Sequence, residues 1–502
     1  MRLELNLDFK EQFAPDRFFF GVAYAPYCEG GLNDPDGPKN TDWARSHPGL
    51  GKRSGEGIRF WTDYGQHIEL AASLGLSAFR MGIEWARCQP SASTVPTDPP
   101  PWDEAALDHY ADMIECVIDH GMQPIVTLHH FTHPLWLGLD IWLDDRGPDV
   151  MTEAQIHIVD EINTRLMARG GKRMAHFLVY NEPNLLPLIY HLIGWFPVER
   201  SGPEYLLPAY DTILSHYIRA YDGIHDLFEA RGWGTPHVGY TIASLCQYEL
   251  DKQLDDLLRL RSWGVTREDT AAKIAECRAI WRTRVDDLAS SQLTDEEFER
   301  YLEAVTTTAE SLRPERFTKT LDALYVSARE RKLDYLSLNV YEPFGAVRLG
   351  QQRADGGVPW DVYTMDGEVY RTFILAKNDF NADLPVYMGE NSCGNFQPVG
   401  EGAIPRPDGW TRERYLKTYL MEMIRCMKEG VPIHGYLYWT LVDDVHPARL
   451  GLYNYDFVNH RILDTDCYGQ PSGRIYGHLV RALRSGDKRT IADAFVEAYA
   501  GG

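Results

Sequence analysis

The chain of 502 residues carries 73 acidic against 50 basic residues, a net charge of −23, with 44% hydrophobic and 25% charged residues. That balance is ordinary for a globular protein and argues against a nucleic-acid backbone or an anionic membrane as partner. The length suits two or three average domains, or one α/β barrel enlarged by insertions. The N-terminus, Met1-Arg2-Leu3-Glu4-Leu5-Asn6-Leu7-Asp8, has no basic segment followed by an apolar core, and no stretch is long and apolar enough for a transmembrane helix. Neither a signal peptide nor a membrane span is therefore expected. Eight scattered cysteines, Cys28, Cys88, Cys116, Cys246, Cys277, Cys393, Cys426 and Cys467, form no CxxC pair. They fit reduced thiols and a cytoplasmic location better than disulfides or a zinc site.

In chain order, apolar strand-like runs alternate with one-faced helical segments. Phe18–Val22 reads as the first strand, a helix follows from about Trp61 to Leu74, and Ala78–Met81 is the second strand. Leu107, Tyr110, Ile114, Val117 and Ile118 mark a helix ended by Gly121, before a third strand at Pro124–Leu128. Thr152-Glu153-Ala154-Gln155 reads as a capping box opening the next helix. Strand four is Phe177–Tyr180, running into Asn181-Glu182-Pro183-Asn184. A helix around Leu214 to Phe228 leads to strand five at Val238–Ala243; Tyr335–Val340, Leu384–Asn391 and Gly435–Thr440 supply strands six to eight. Helices through Leu483 and near Ile491 to Tyr499 close the chain. Eight such alternations predict an α/β fold, a single (β/α)8 TIM barrel domain over residues 1–502 with long βα loops.

Two regions exceed a barrel's needs. Residues of about 251–314 are charged and helix-prone, with a capping box at Thr294-Asp295-Glu296-Glu297. They predict a helical insertion after strand five, packed beside the barrel mouth. It reads as a solvated surface element, with a cleft wall or a homo-oligomer contact as the alternative. Gly350 to Thr372, with Trp360 and Tyr363, reads as a long loop after strand six.

A carboxylic acid ending a buried strand is costly without a purpose, and both Glu182 and Glu390 stand there beside an asparagine. Barrel chemistry sits at the C-terminal strand ends. Those ends carry Arg80, His129, His130, Asn181, Glu182, Asn339, Tyr341, Glu390, Asn391 and Trp439. Two carboxylates among such neighbours suit glycosyl transfer: one acid protonates the departing oxygen while the other attacks the anomeric carbon. As alternatives, the glutamates could be structural ion-pair members, and His129, His130 and His133 could suggest a metal. Their spacing at a strand-to-loop junction does not place three ligands together, so no metal site is expected.

These motifs, Asn181-Glu182-Pro183 and Gly389-Glu390-Asn391, resemble the acid/base and nucleophile motifs of glycoside hydrolase family 1, the retaining β-glycosidases. The resemblance runs from Phe20-Gly21 to Tyr455-Asp456. It includes Phe79-Arg80-Met81-Gly82-Ile83-Glu84-Trp85-Ala86-Arg87, Thr127-Leu128-His129-His130, Asn339-Val340-Tyr341 and Tyr438-Trp439-Thr440. It implies Glu182 as acid/base and Glu390 as nucleophile, with Arg80 and Tyr341 holding Glu390 ionised. Asn181 would bind the sugar 2-hydroxyl, His129 another hydroxyl, and Trp439 would form the subsite floor, with no cofactor and a small glycoside or oligosaccharide as partner. Glutamate at 182 argues against the thioglucoside-cleaving branch, which has glutamine there.

Departures cluster around the glycon, the sugar that is released. The family's Tyr-Gln reads Tyr27-Cys28, the tryptophan after the strand-three histidine is His130, and Val442–Arg449 lacks the usual Glu-Trp pair. It also lacks the phosphate clamp of the 6-phospho branch, although Arg449 could receive an anionic group; His446 and His130 read as polar lining. A β-glycosidase with an atypical glycon pocket is expected. The alternatives are a transglycosidase on the same scaffold, a catalytically silent sugar-binding barrel and a metal-dependent hydrolase.

Overall fold

The structure is a computed structural model, describing residues 8–32, 40–43, 55–91, 99–194, 196, 198–344, 347, 366–381, 383–394, 406, 408–444 and 449–496. Eight parallel strands close into one barrel in sequence order. They are β1 (Phe19–Ala23), β2 (Ala78–Gly82), β3 (Gln123–Thr127), β4 (His176–Asn181), β5 (His237–Ala243), β6 (Leu336–Asn339), β7 (Val386–Asn391) and β8 (Ile433–Trp439). β8 pairs in parallel with β1, from Phe19 opposite Gly435 to Ala23 opposite Trp439, which closes the ring. Strands buried on both faces explain why the sequence shows continuous apolar runs rather than alternation.

The predicted helices form the outer layer. The Glu104–Asp119 helix is typical: Asp103 caps it by accepting from the Ala106 N–H at 3.0 Å, and Leu107, Tyr110, Ala111, Ile114 and Val117 turn inward. Such a cap contributes about 1 kcal/mol. The Thr152 capping box does not form. That helix runs over Gly147–Ala168 and starts nearly two turns earlier, with Pro148 in its first turn, where a missing N–H costs nothing. Thr152 instead lies inside it and returns its hydroxyl to the Pro148 carbonyl at 2.6 Å.

After β5 come helices at Lys252–Arg259, Thr270–Gln292, Asp295–Ser311 and Thr318–Val326. The Thr294 capping box forms as expected, with both reciprocal bonds made. The surface reading fails for the first of these helices: all of Lys252–Arg259 is buried. Its charges are paired there, Lys252 with Asp256 at 2.5 Å and Lys377 with Asp251 and Asp255. The loop expected up to Thr372 ends earlier, because Gly367–Asn378 is a helix capped by Asp366; Trp360 and Tyr363 lie outside the described residues. None of the eight cysteines forms a disulfide, and no described helix is long and apolar enough to cross a membrane.

Candidate active site

Inside the barrel, Ala78, Ile125, Leu178, Tyr335 and Leu437 pack as one cluster, with Phe19 and Tyr387 against it. Two residues further along β2, β3 and β8 stand Arg80, Thr127 and Trp439, as the period of two requires. β4 and β7 break that period. From Leu178 to Asn181 and from Tyr387 to Glu390 the spacing is three, and both strands carry register shifts there. A shift of one residue turns a side chain to the other face, and here it brings Asn181 and Glu390 into contact with Arg80.

Arg80 is fully buried and uses four of its five donors. Nε donates to Thr127 Oγ1 at 3.0 Å, Nη1 to the Gly389 carbonyl at 3.2 Å and Glu390 Oε1 at 2.7 Å, and Nη2 to Asn181 Oδ1 at 2.6 Å. The other Glu390 oxygen, Oε2, accepts from the Tyr341 hydroxyl at 3.0 Å. Gly389 is required here because a Cβ would meet Ser337 Oγ at 2.3 Å and Thr241 Oγ1 at 2.6 Å.

Glu182 sits one residue beyond β4 in the left-handed region (φ 47°), uncommon for a residue with a Cβ. Its N–H donates to the Thr241 carbonyl at 2.8 Å. Asn339 reaches its carboxyl: Thr241 Oγ1 donates to Asn339 Oδ1 at 2.7 Å, which orients the amide so that Nδ2 donates to Glu182 Oε1 at 2.7 Å.

The two carboxyls differ in their neighbours. Burial pushes Glu182 from the ordinary 4.5 up to about 8, and the negative Glu390 adds to this; the Asn339 bond and Arg80 oppose it. Burial also raises Glu390, but a guanidinium in direct contact opposes it first, with the Tyr341 hydroxyl behind. The shared proton is therefore held on Glu182.

His129 and His130 are buried and kept neutral, chiefly by burial. Neither ring nitrogen of His129 has a hydrogen-bond partner among the described residues, and neither do His130 Nδ1 and Asn181 Nδ2. The His130 ring lies 5.6 Å from that of Trp439, which is 6% exposed. His133 turns away, to the Gly138 carbonyl at 3.0 Å. Among the described residues no group of three or more His, Cys, Asp or Glu is arranged to hold a metal ion.

Cys28 donates its thiol to Asp444 Oδ2 at 3.3 Å. Tyr27 belongs to the same cavity: burial, Asp444, Cys28, Glu390 and Glu182 all push its phenol upward. Arg449 is buried, and its charge helps to hold down the Asp443 carboxyl that burial pushes up. His446 lies outside the described residues. Thr127, Thr241, Asn184 and Asp444 do not stand out in the sequence as site residues; an inward count along β3 and β5 would have found the two threonines.

The chain matches the sequence pattern of glycosyl hydrolase family 1 over residues 10–263 and 330–482. The unmatched residues 264–329 hold the helices Thr270–Gln292, Asp295–Ser311 and Thr318–Val326. The chain is 23% identical to coniferin beta-glucosidase of Pinus contorta, covering 89% of this chain and 88% of the relative. It is also 23% identical to beta-glucosidase A of Thermotoga maritima (93% and 97%) and 21% to a 6-phospho-beta-galactosidase of Clostridium acetobutylicum (88% and 92%). Among solved structures it resembles the Thermotoga maritima beta-glucosidase bound to castanospermine, with a TM-score of 0.64, 18% identity and coverage of 94% and 98%. With its closed barrel and its pattern matched across most of its length, this chain belongs to glycosyl hydrolase family 1 and is a glycoside hydrolase.

Proposed function

We propose that the protein is a retaining β-glycosidase acting by double displacement, with Glu390 as nucleophile and Glu182 as acid/base. The observation that carries the proposal is the Arg80 fork, which pairs with Glu390 at 2.7 Å and holds Asn181, beside Glu182, at 2.6 Å. A carboxylate so paired is favoured in its ionised form and can attack the anomeric carbon. Because Asn339 donates to Glu182 Oε1, the acid proton belongs on Oε2, from which it passes to the glycosidic oxygen as the C–O bond breaks. Once Glu390 is esterified its charge is gone, the push on Glu182 weakens, and Glu182 takes a proton from the water that attacks the glycosyl-enzyme.

The unpartnered donors around this pair fit a sugar. Asn181 Nδ2 and the neutral His129 ring would bind hydroxyls, Asn181 that at C2, where the bond strengthens in the transition state. Trp439 would carry the sugar face. At the glycon end, a thiol bonded to a carboxylate (Cys28 and Asp444) stands where a plain glucoside enzyme of the family has an amide. We therefore expect a glycon other than plain glucose, or one held differently. Aryl β-glycosides of several glycons, including 6-phosphorylated and uronic forms, test this by kcat/KM. Glucoside as clearly the best substrate sinks the glycon proposal. For the catalytic roles, Glu390→Ala should abolish turnover and azide should partly restore Glu182→Ala on activated substrates; the absence of both effects overturns the assignment.

A further inference from the structure

Glu182 is held in a strained left-handed turn, and such conformations persist only where surrounding structure over-determines them. Two residues on stands Asn184, fully buried. Its amide is saturated. Nδ2 donates to the Ala243 carbonyl at 2.8 Å and the Leu250 carbonyl at 2.9 Å, and Oδ1 accepts from the Ala243 N–H at 3.0 Å. Its own carbonyl accepts from the Tyr210 hydroxyl at 2.6 Å. Both N–H groups are spent on backbone, leaving none to donate to a sugar.

The partners of Asn184 are themselves fixed. Ala243 ends β5, two residues after Thr241, whose carbonyl takes the Glu182 N–H and whose hydroxyl orients Asn339. Leu250 ends a short 3-10 turn followed by Asp251, which accepts from the Leu245 N–H at 2.8 Å and pairs with the buried Lys377. The inserted helices bear on this same loop: Arg278 pairs with Glu249 at 2.6 Å, and Trp281 donates to the Cys246 carbonyl at 3.4 Å.

We propose that Asn184 is the positioning residue for Glu182, clamping the turn after β4 to the end of β5 and to Leu250 so that the carboxyl stays on Asn339 and over the glycosidic oxygen. The proposal rests on Glu182 being the acid/base.

A leaving-group series tests it. Phenol is a poor leaving group and needs the proton of Glu182, whereas 2,4-dinitrophenolate departs without one. For Asn184→Ala, with rates normalised to active-site titre, kcat/KM for the phenyl glycoside of the best glycon should fall by about 100-fold, within the range of general acid catalysis. The 2,4-dinitrophenyl glycoside should change by less than about threefold, and the basic limb of the phenyl profile should move to lower pH. Equal losses on both substrates, or none on either, with an unmoved basic limb overturn the proposal, because a defect that does not act through the acid has no regard for the aglycone. If Asn184→Ala does not fold, Tyr210→Phe removes only the bond to the Asn184 carbonyl. It should give the same selective pattern at smaller amplitude, and a flat series there overturns the proposal. Glu182→Ala run in parallel separates the two inferences: if it shows no leaving-group selectivity, the acid/base assignment itself has failed.

Discussion

Replacing Glu390 by Gln should lower the pKa of Glu182 by about two units. In the intact protein Glu182 is displaced from 4.5 to about 8, first by burial and second by the charge of Glu390. That displacement of about 3.5 units amounts to roughly 5 kcal/mol favouring the protonated form. Glu390→Gln keeps the volume and burial and removes only the charge. A retaining pair stands ~5 Å apart. A unit charge there, at an effective dielectric near 20, is worth about 3 kcal/mol or about two pKa units. Arg80, released from its partner, acts in the same direction. Carbon-13 NMR titration of glutamate-labelled protein, with Glu182→Gln to assign the resonance, reads the shift directly. Glu182 titrating within half a unit in both proteins would refute the argument and leave burial as the sole cause. The same assignment gives the sign of the pH dependence. Catalysis needs Glu182 protonated, so kcat/KM should fall as pH rises through about 8.

Arg80→Met leaves Glu390 buried without its cation and frees Asn181. Breaking such a pair costs about 3–5 kcal/mol, which thermal unfolding should report, and the acid limb of kcat/KM should move to higher pH because the nucleophile ionises less readily. Gly389→Ala places a methyl against Ser337, Thr241 and Asn339; activity should be lost more steeply than Tm, measured by kcat alongside calorimetry. Cys28→Gln restores the amide of the family pattern and breaks the bond to Asp444. Relative kcat/KM should shift toward the glucoside across the glycon panel, and an unchanged ranking would remove Cys28 from the glycon site. Lys377→Met strands Asp251 and Asp255 in a buried setting; Tm should drop in line with about 3–5 kcal/mol.

The sequence by itself determined the barrel and pointed to a glycoside hydrolase. Eight apolar runs separated by one-faced helices leave a chain of this length few ways to bury its strands, and glutamates at two strand ends invite pairing at the mouth. The structure moved boundaries where two local signals competed, as when Pro148 in the first turn displaced the Thr152 cap. It also put the charged Lys252–Arg259 helix in the interior, which composition could not indicate because burial there depends on Lys377, far away in sequence. Only the tertiary structure decided how the glutamates are held. A strict period of two from Leu178 and Tyr387 points Tyr180 and Gly389 inward; the register shifts in β4 and β7 substitute Asn181 and Glu390. Such shifts come from the pairing of neighbouring strands. For the same reason the clamp from Asn184 to Ala243 and Leu250, and the thiol contact from Cys28 to Asp444, emerge only when the ring closes and brings distant segments within hydrogen-bonding distance.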